Sequence, residues 1–161
     1  MIFNEERVLL KNGQECILRS PGGGADAEVV LSHLRRTSGE TDYLVRYPEE
    51  VTLTVEEEEA FLERYRTDPR SVMIVALVDG KIIASAGLSC VMDVMKYRHR
   101  AEFGLSVQKD YWNLGIGTRL IGALLQFAEA AGYEQVELEV VSSNEQAVRL
   151  YRKFGFEIYG T

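Results

Sequence analysis

The stretch that most constrains the fold is "SVMIVALVDGKIIASAGLSCVMD", in which two apolar runs flank Asp79-Gly80. An Asp-Gly pair suits the tight turn of a hairpin, so the two runs are expected to lie antiparallel as neighbours in one sheet. A third run, "HRAEFGLSV", alternates: Phe103, Leu105 and Val107 share one face, Glu102, Gly104 and Ser106 the other. Beyond it, "YWNLGIGT" leads into Leu120, Ile121, Leu124, Leu125 and Ala128 at helical spacing, closed by Gly132, and then into a strand-like "QVELEVV". A strand-helix-strand crossover gives a parallel pair and a hairpin an antiparallel one. The sheet is therefore mixed, with helices packed against it.

Upstream, "ECILRS" reads as the first strand. "PGGGADAEVVLSHLRR" reads as a loop running into a helix that carries Ala27, Val30, Leu31 and Leu34 on one face, with Gly22-Gly23-Gly24 a flexible connection. "TSGETDYLVRYPEE" has no sustained period and reads as a loop. Thr54 and Glu57 form a capping box, which makes Glu56 to Glu59 a solvated helix start, with Phe61, Leu62 and Tyr65 on the buried side. Near the end, Ser143 with Gln146 caps a short helix bearing Ala147, Leu150, Tyr151 and Phe154. Gly155 closes that helix, and "FEIYGT" starts a last strand. The expected order is β-α-α-β-β-β-α-β-α-β in a single domain spanning residues 1–161, without repeats or linkers.

The composition narrows the function. A net charge of −7 argues against a nucleic-acid partner and suits a cationic one. No apolar run approaches the roughly 20 residues of a membrane span. The start, "MIFNEERVLLKNG", lacks the basic and apolar regions of a secretory signal, so a cytoplasmic protein is expected. Cys16 and Cys90 lack CxxC spacing and read as reduced thiols, and no metal site is expected.

In "YWNLGIGT" the first turn of a helix follows two glycines, which leaves amides and the positive end of the dipole open to an anion. A dinucleotide loop would need a third glycine where Leu120 stands, and no Gly-Lys-Ser/Thr of a P-loop exists. The whole stretch from "AEFGLSV" to "YRKFGF" resembles the acetyl-CoA-binding half of the GNAT superfamily of N-acetyltransferases. That family carries Gln/Arg-x-x-Gly-x-Gly/Ala after its fourth strand, and later Asn-x-x-Ala-x-x-x-Tyr ending in Gly-Phe. Gly115 and Gly117 match the first pattern, and Asn144, Ala147, Tyr151, Gly155 and Phe156 match the second. Trp112 departs from the leading Gln/Arg.

The resemblance implies a single α/β domain with a mixed central sheet and helices on both faces, and without the family's last strand. Residues 1–100 would form the substrate side and first hairpin, and 101–159 the acetyl-CoA-binding half. It implies acetyl-CoA as co-substrate: Asn113, Leu114, Gly115, Ile116, Gly117 and Thr118 around the diphosphate, Leu105 and Val107 pairing with the pantetheine arm, Asn144 on its amides, and Tyr151 facing the sulfur. The acceptor would be a small-molecule or peptide primary amine attacking directly in a ternary complex.

An amine with a pKa near 10 is about one part in a thousand neutral at pH 7, so a base is useful. Glu102 is the candidate, with Gly104 as a bulge beside it. The alternatives are a salt bridge from Glu102 to Arg98 or Arg100, and His99 as the base. Arg119, Arg149 and Arg152 are candidate phosphate contacts. The acidic Glu40, Asp42, Glu49 and Glu50 would receive a cation. Competing readings are a catalytically silent acyl-CoA-binding module and a helix-mediated structural dimer with no cofactor; the missing last strand would mean a truncated molecule, a more open substrate side, or a gap filled by a partner chain in a homodimer.

Overall fold

The computed structural model describes every residue except Val45, which the expected loop "TSGETDYLVRYPEE" includes. Its strands are β1 (Glu6–Leu9), β2 (Glu15–Arg19), β3 (Val72–Val78), β4 (Lys81–Cys90), β5 (Arg100–Val107) and β6 (Gln135–Glu137), and its helices are α1 (Gly23–Glu40), α2 (Val55–Thr67), α3 (Ile116–Ala130) and α4 (Glu145–Lys153). They form one sheet in the order β1-β2-β3-β4-β5-β6, antiparallel throughout except for the parallel pair β5 and β6. The Asp79-Gly80 turn makes the β3–β4 hairpin, with φ positive at both residues.

The unbroken apolar run of β3 has a direct cause. Val72, Ile74 and Ala76 face Leu120, Ile121 and Leu124 of α3, while Met73, Val75 and Leu77 face Ala27 and Val30 of α1 and Leu62 of α2. A strand covered on both faces has no polar side to alternate with. Leu120, Ile121 and Leu124 are wholly buried, each contributing roughly 1.5–3 kcal/mol by leaving water.

Several expectations are corrected. A strand precedes the expected first one: β1 pairs with β2 across a turn at Asn12-Gly13, with Gly13 at φ +85°. Helix α1 already starts within the glycine run and continues to Glu40, four residues past Arg36. The Asp26 carboxylate accepts from the Gly22 amide and from Arg19, so the glycine run is not a flexible loop. At the other end, Thr37 Oγ1 donates back to the His33 and Leu34 carbonyls, and Arg36 pairs with Glu40. The acidic start of α2 is not wholly solvated, because Glu58 is buried. The β4–β5 ladder runs without a register shift from Ala84↔Val107 to Cys90↔Ala101, so Gly104 makes no bulge; the irregularity lies at Ala76/Leu77.

"QVELEVV" pairs with β5 only as far as Glu102↔Glu137, and "FEIYGT" forms no strand. Gly155, at φ +89°, turns the chain after α4 so that the Phe156 ring lies 5.7 Å from Phe103, edge-on. Burial of that ring takes the place of strand pairing.

Candidate active site

The site begins where β5 and β6 part. Past Glu102↔Glu137 the two chains diverge, and both Gly104–Val107 of β5 and Leu138–Val140 line a cleft of about 910 Å³. Backbone groups on that edge of β5 have no strand partner. Tyr151, Asn144 and Gln146 form one wall, and the turn into α3 closes one end.

That turn is built by three local constraints. Asn113 and Gly115 sit in the left-handed region, at φ +63° and +91°, and the Asn113 carboxamide oxygen accepts from Gln146. Trp112, the residue that departs from the family pattern, donates its indole N–H to the Val107 carbonyl at 2.8 Å. It therefore fastens the turn to the end of β5. The Leu114 carbonyl accepts from the Lys11 amide at 3.2 Å, tying in the β1–β2 turn. Among the described residues, no amide from Asn113 to Thr118 donates to a protein acceptor, and Gly115 supplies no side-chain cap. These amides and the helix dipole suit a phosphate group.

The two glycines differ. A Cβ on Gly115 would meet only the Lys11 Cε, at 3.8 Å, and it is the positive φ that requires glycine. A Cβ on Gly117 would come 3.2 Å from Leu150 and 3.7 Å from Leu105, so this glycine lets α4 approach α3. Gly117 serves packing at least as much as ligand access.

Leu105, Val107, Asn113, Gly115, Ile116, Gly117, Thr118, Asn144 and Tyr151 all line the cleft, as does Glu102. Leu114 does not: its side chain packs into the core beside α3. The Asn144 Oδ1 accepts from the Ala147 amide at 3.3 Å, so Asn144, not Ser143, caps α4, and Gln146 reaches Asn113 instead. Burial raises the Tyr151 phenol above its ordinary range, and its ring lies 5.8 Å from Phe103. Among the described residues its hydroxyl has no protein partner.

Glu102 is exposed in the cleft, and the expected salt bridge does not form: Arg100 makes a two-pronged pair with Glu137, at 2.9 and 2.7 Å. His99 is not among the cleft-lining residues; its carbonyl accepts from the Glu134 and Gln135 amides. Of the three arginines only Arg149 lines the cleft, paired to Glu145 at 3.6 Å. None of Glu40, Asp42, Glu49 and Glu50 lines this cleft. Glu40 accepts from Arg36 and the Lys109 amide, and Glu50 from the Tyr47 amide.

Sequence reasoning missed a second group beside Glu102. Ser89 lies directly across the ladder from it, and Tyr65 of α2 lines the cleft beside both. Tyr65 is raised chiefly by burial, and its ring packs over Gly87, where a Cβ would stand in ordinary contact, 3.6 Å from the hydroxyl. Tyr65 joins the cleft to a second cavity of about 340 Å³, where Leu34, Val51, Leu53 and Met73 are joined by Ser85 and Ser106. Ser106 is held from below. His33, buried on α1, contacts Ser106 Oγ through Nε2 at 2.9 Å, while Gln108 Nε2 approaches His33 Nδ1 at 3.3 Å and the Ile82 carbonyl at 3.1 Å. The Gln108 amide donates, so Nδ1 accepts and Nε2–H donates to Ser106, leaving the serine proton free for the cavity. Helical spacing shows only that His33 and Tyr65 face inward. Nothing in it shows that His33 meets a strand hydroxyl or that Tyr65 reaches the cleft.

Residues 38–156 match the model of the acetyltransferase (GNAT) family, and the chain belongs to that family. It is 30% identical to the GNAT-family acetyltransferase from Streptococcus pneumoniae, whose structure superposes with a TM-score of 0.84 over 90% of this chain and 86% of that one. The structure of yncA from Salmonella typhimurium, solved with its cofactor acetyl-CoA, shares the fold at 16% identity and a TM-score of 0.76, covering 98% of this chain and 82% of that one. L-amino acid N-acetyltransferase AaaT from Escherichia coli is 29% identical over 62% of this chain and 61% of its own length. The chain spans about 61% or less of the curated relatives it matches. No helix among the described residues is long and apolar enough to cross a membrane, and no group of three or more metal-ligating side chains is found among them.

Proposed function

We propose that the chain is an acetyl-CoA-dependent N-acetyltransferase that acetylates a primary amine by direct attack in a ternary complex. The observation that carries this reading is the opening between β5 and β6, with free strand edge along it, unpartnered amides at one end and Tyr151 in its wall. Bound acetyl-CoA supplies an acyl carbon activated as a thioester. The amides of Asn113 to Thr118 hold the diphosphate, the edge at Leu105 and Val107 pairs with the pantetheine amides, and the Asn144 carboxamide N–H₂, left free by its capping role, lies within the same cleft.

Glu102, exposed and beside Ser89, accepts the proton of the incoming ammonium, directly or through a water. As the new N–C bond forms and the C–S bond breaks, electrons move to sulfur. Tyr151, raised above its ordinary range, is a poor full proton donor there and stabilises the thiolate by hydrogen bonding.

The second cavity is mostly apolar, with Arg46 and the hydroxyls of Ser38, Ser85 and Ser106 in its lining, and opens beside Glu102's face of β5, which favours an amine with an apolar body and a polar or anionic end, such as an amino acid or a peptide N-terminus. The Escherichia coli relative is named for L-amino acids, in the same direction. Thiol release from acetyl-CoA should depend on an added amine and be faster with apolar amino acids or peptides than with polyamines. Acetyl-CoA binding without release from any amine would leave an acyl-CoA-binding module instead.

A further inference from the structure

We propose that Lys11, on the turn between β1 and β2, binds the diphosphate of the donor and supplies the side-chain donor that Trp112 does not; the inference rests on the acetyl-CoA assignment above. The family position that would reach toward the phosphates carries an indole, and that indole's N–H is committed to the Val107 carbonyl. Lys11 comes to the same loop from the far end of the chain. Its amide donates to the Leu114 carbonyl, its Cε lies 3.8 Å from where a Gly115 Cβ would stand, and its side chain lines the cleft. The lysine stem therefore lies within van der Waals reach of the turn.

Charge supports this placement. The protein carries a net charge of −7, and Glu102, Glu137 and Glu139 line the same cleft, so a polyanion arrives against an unfavourable field. The other cations lining it are Arg149, paired with Glu145, and Lys153 at the far end of α4. Lys11 forms no salt bridge among the described residues, so its ammonium is available to an anion at the unpartnered amides. A point charge on a flexible stem suits a group whose geometry the amides already define.

The test is calorimetric binding of acetyl-CoA and of acetyl-dephospho-CoA, which lacks the 3′-phosphate, to the wild type, Lys11→Met and Lys11→Arg. Lys11 is exposed and its backbone bond survives substitution, so both variants should keep the wild-type melting temperature. Lys11→Met should bind both donors about tenfold more weakly, the deficit shrinking as salt is added, and Lys11→Arg should stay within about threefold of wild type. Unchanged affinity in Lys11→Met overturns the proposal. A deficit seen with acetyl-CoA and absent with acetyl-dephospho-CoA overturns the diphosphate assignment in favour of the 3′-phosphate. If the wild type binds neither compound, the donor assignment itself fails, and the role of Lys11 with it.

Discussion

Among the described residues, both carboxylate oxygens of Glu58 are buried with no hydrogen-bond partner, and burial raises its pKa. The folded state therefore holds this proton more tightly than the unfolded chain does. The contribution to stability is greatest at low pH and declines as pH rises from the ordinary carboxyl range through the folded value. Glu58→Met should be more stable than wild type by about 1–3 kcal/mol at pH 8 in urea unfolding, with the gap narrowing toward pH 4. His33 acts in the opposite sense. Burial, with the Arg36 charge adding to it, lowers its pKa to about 4 from 6.5. Its contribution is complete above pH 6.5 and is lost as pH falls toward 4, a span worth roughly 3 kcal/mol. His33→Gln should flatten the stability profile across that window. If Tyr151 stabilises the leaving thiolate as proposed, its replacement by Phe should lower turnover roughly tenfold or more while leaving acetyl-CoA affinity within about twofold. Equal turnover would return Tyr151 to a packing role among Phe103 and Phe156.

Among the elements, the α3 turn separates two kinds of glycine requirement. Gly115→Ala imposes a side chain at φ +91° and should cost about 1–2 kcal/mol in stability. Gly117→Val presses on Leu150 and should move α4, so its melting temperature should fall together with its acetyl-CoA affinity. A normal melting temperature with abolished affinity would show instead that Gly117 is kept for the ligand. The elements legible in the sequence were those marked by periodicity and punctuation. Asp79-Gly80 fixed a hairpin and Leu120 to Ala128 marked a helix, whereas Asn144 and Tyr151 were placed on the cleft by the resemblance to the family motif. Asn12-Gly13 carried the same kind of hairpin signal, but its flanking runs are short and charged. The early end of β6 was not legible, because Leu138 to Val141 remain good strand formers and their divergence from β5 is a tertiary event. The Glu102, Ser89 and Tyr65 group likewise required the register of β4 on β5 and the docking of α2, neither of which is a local property.

For the molecule as a whole, the sheet separates two cores, with α3 on one face and α1 and α2 on the other, and the two cavities meet beside Gly104 and Leu105. Donor and acceptor can then be present together, and neither cysteine lines either of these two cavities. Initial-rate plots against both substrates should give intersecting lines; parallel lines would indicate a covalent acyl-enzyme and reject direct attack. The opening between β5 and β6 has a further consequence for how the domain holds itself together. A strand edge left open inside a fold is a weak seam, and residues 138–153 lie along it with little shared ladder to protect them. They should form a cooperative unit that opens more readily than the β3–β4 hairpin, with fast amide hydrogen exchange in the free protein. Acetyl-CoA would then act as mortar for that seam, and the largest gain in exchange protection should fall on this segment, well beyond the phosphate-binding turn.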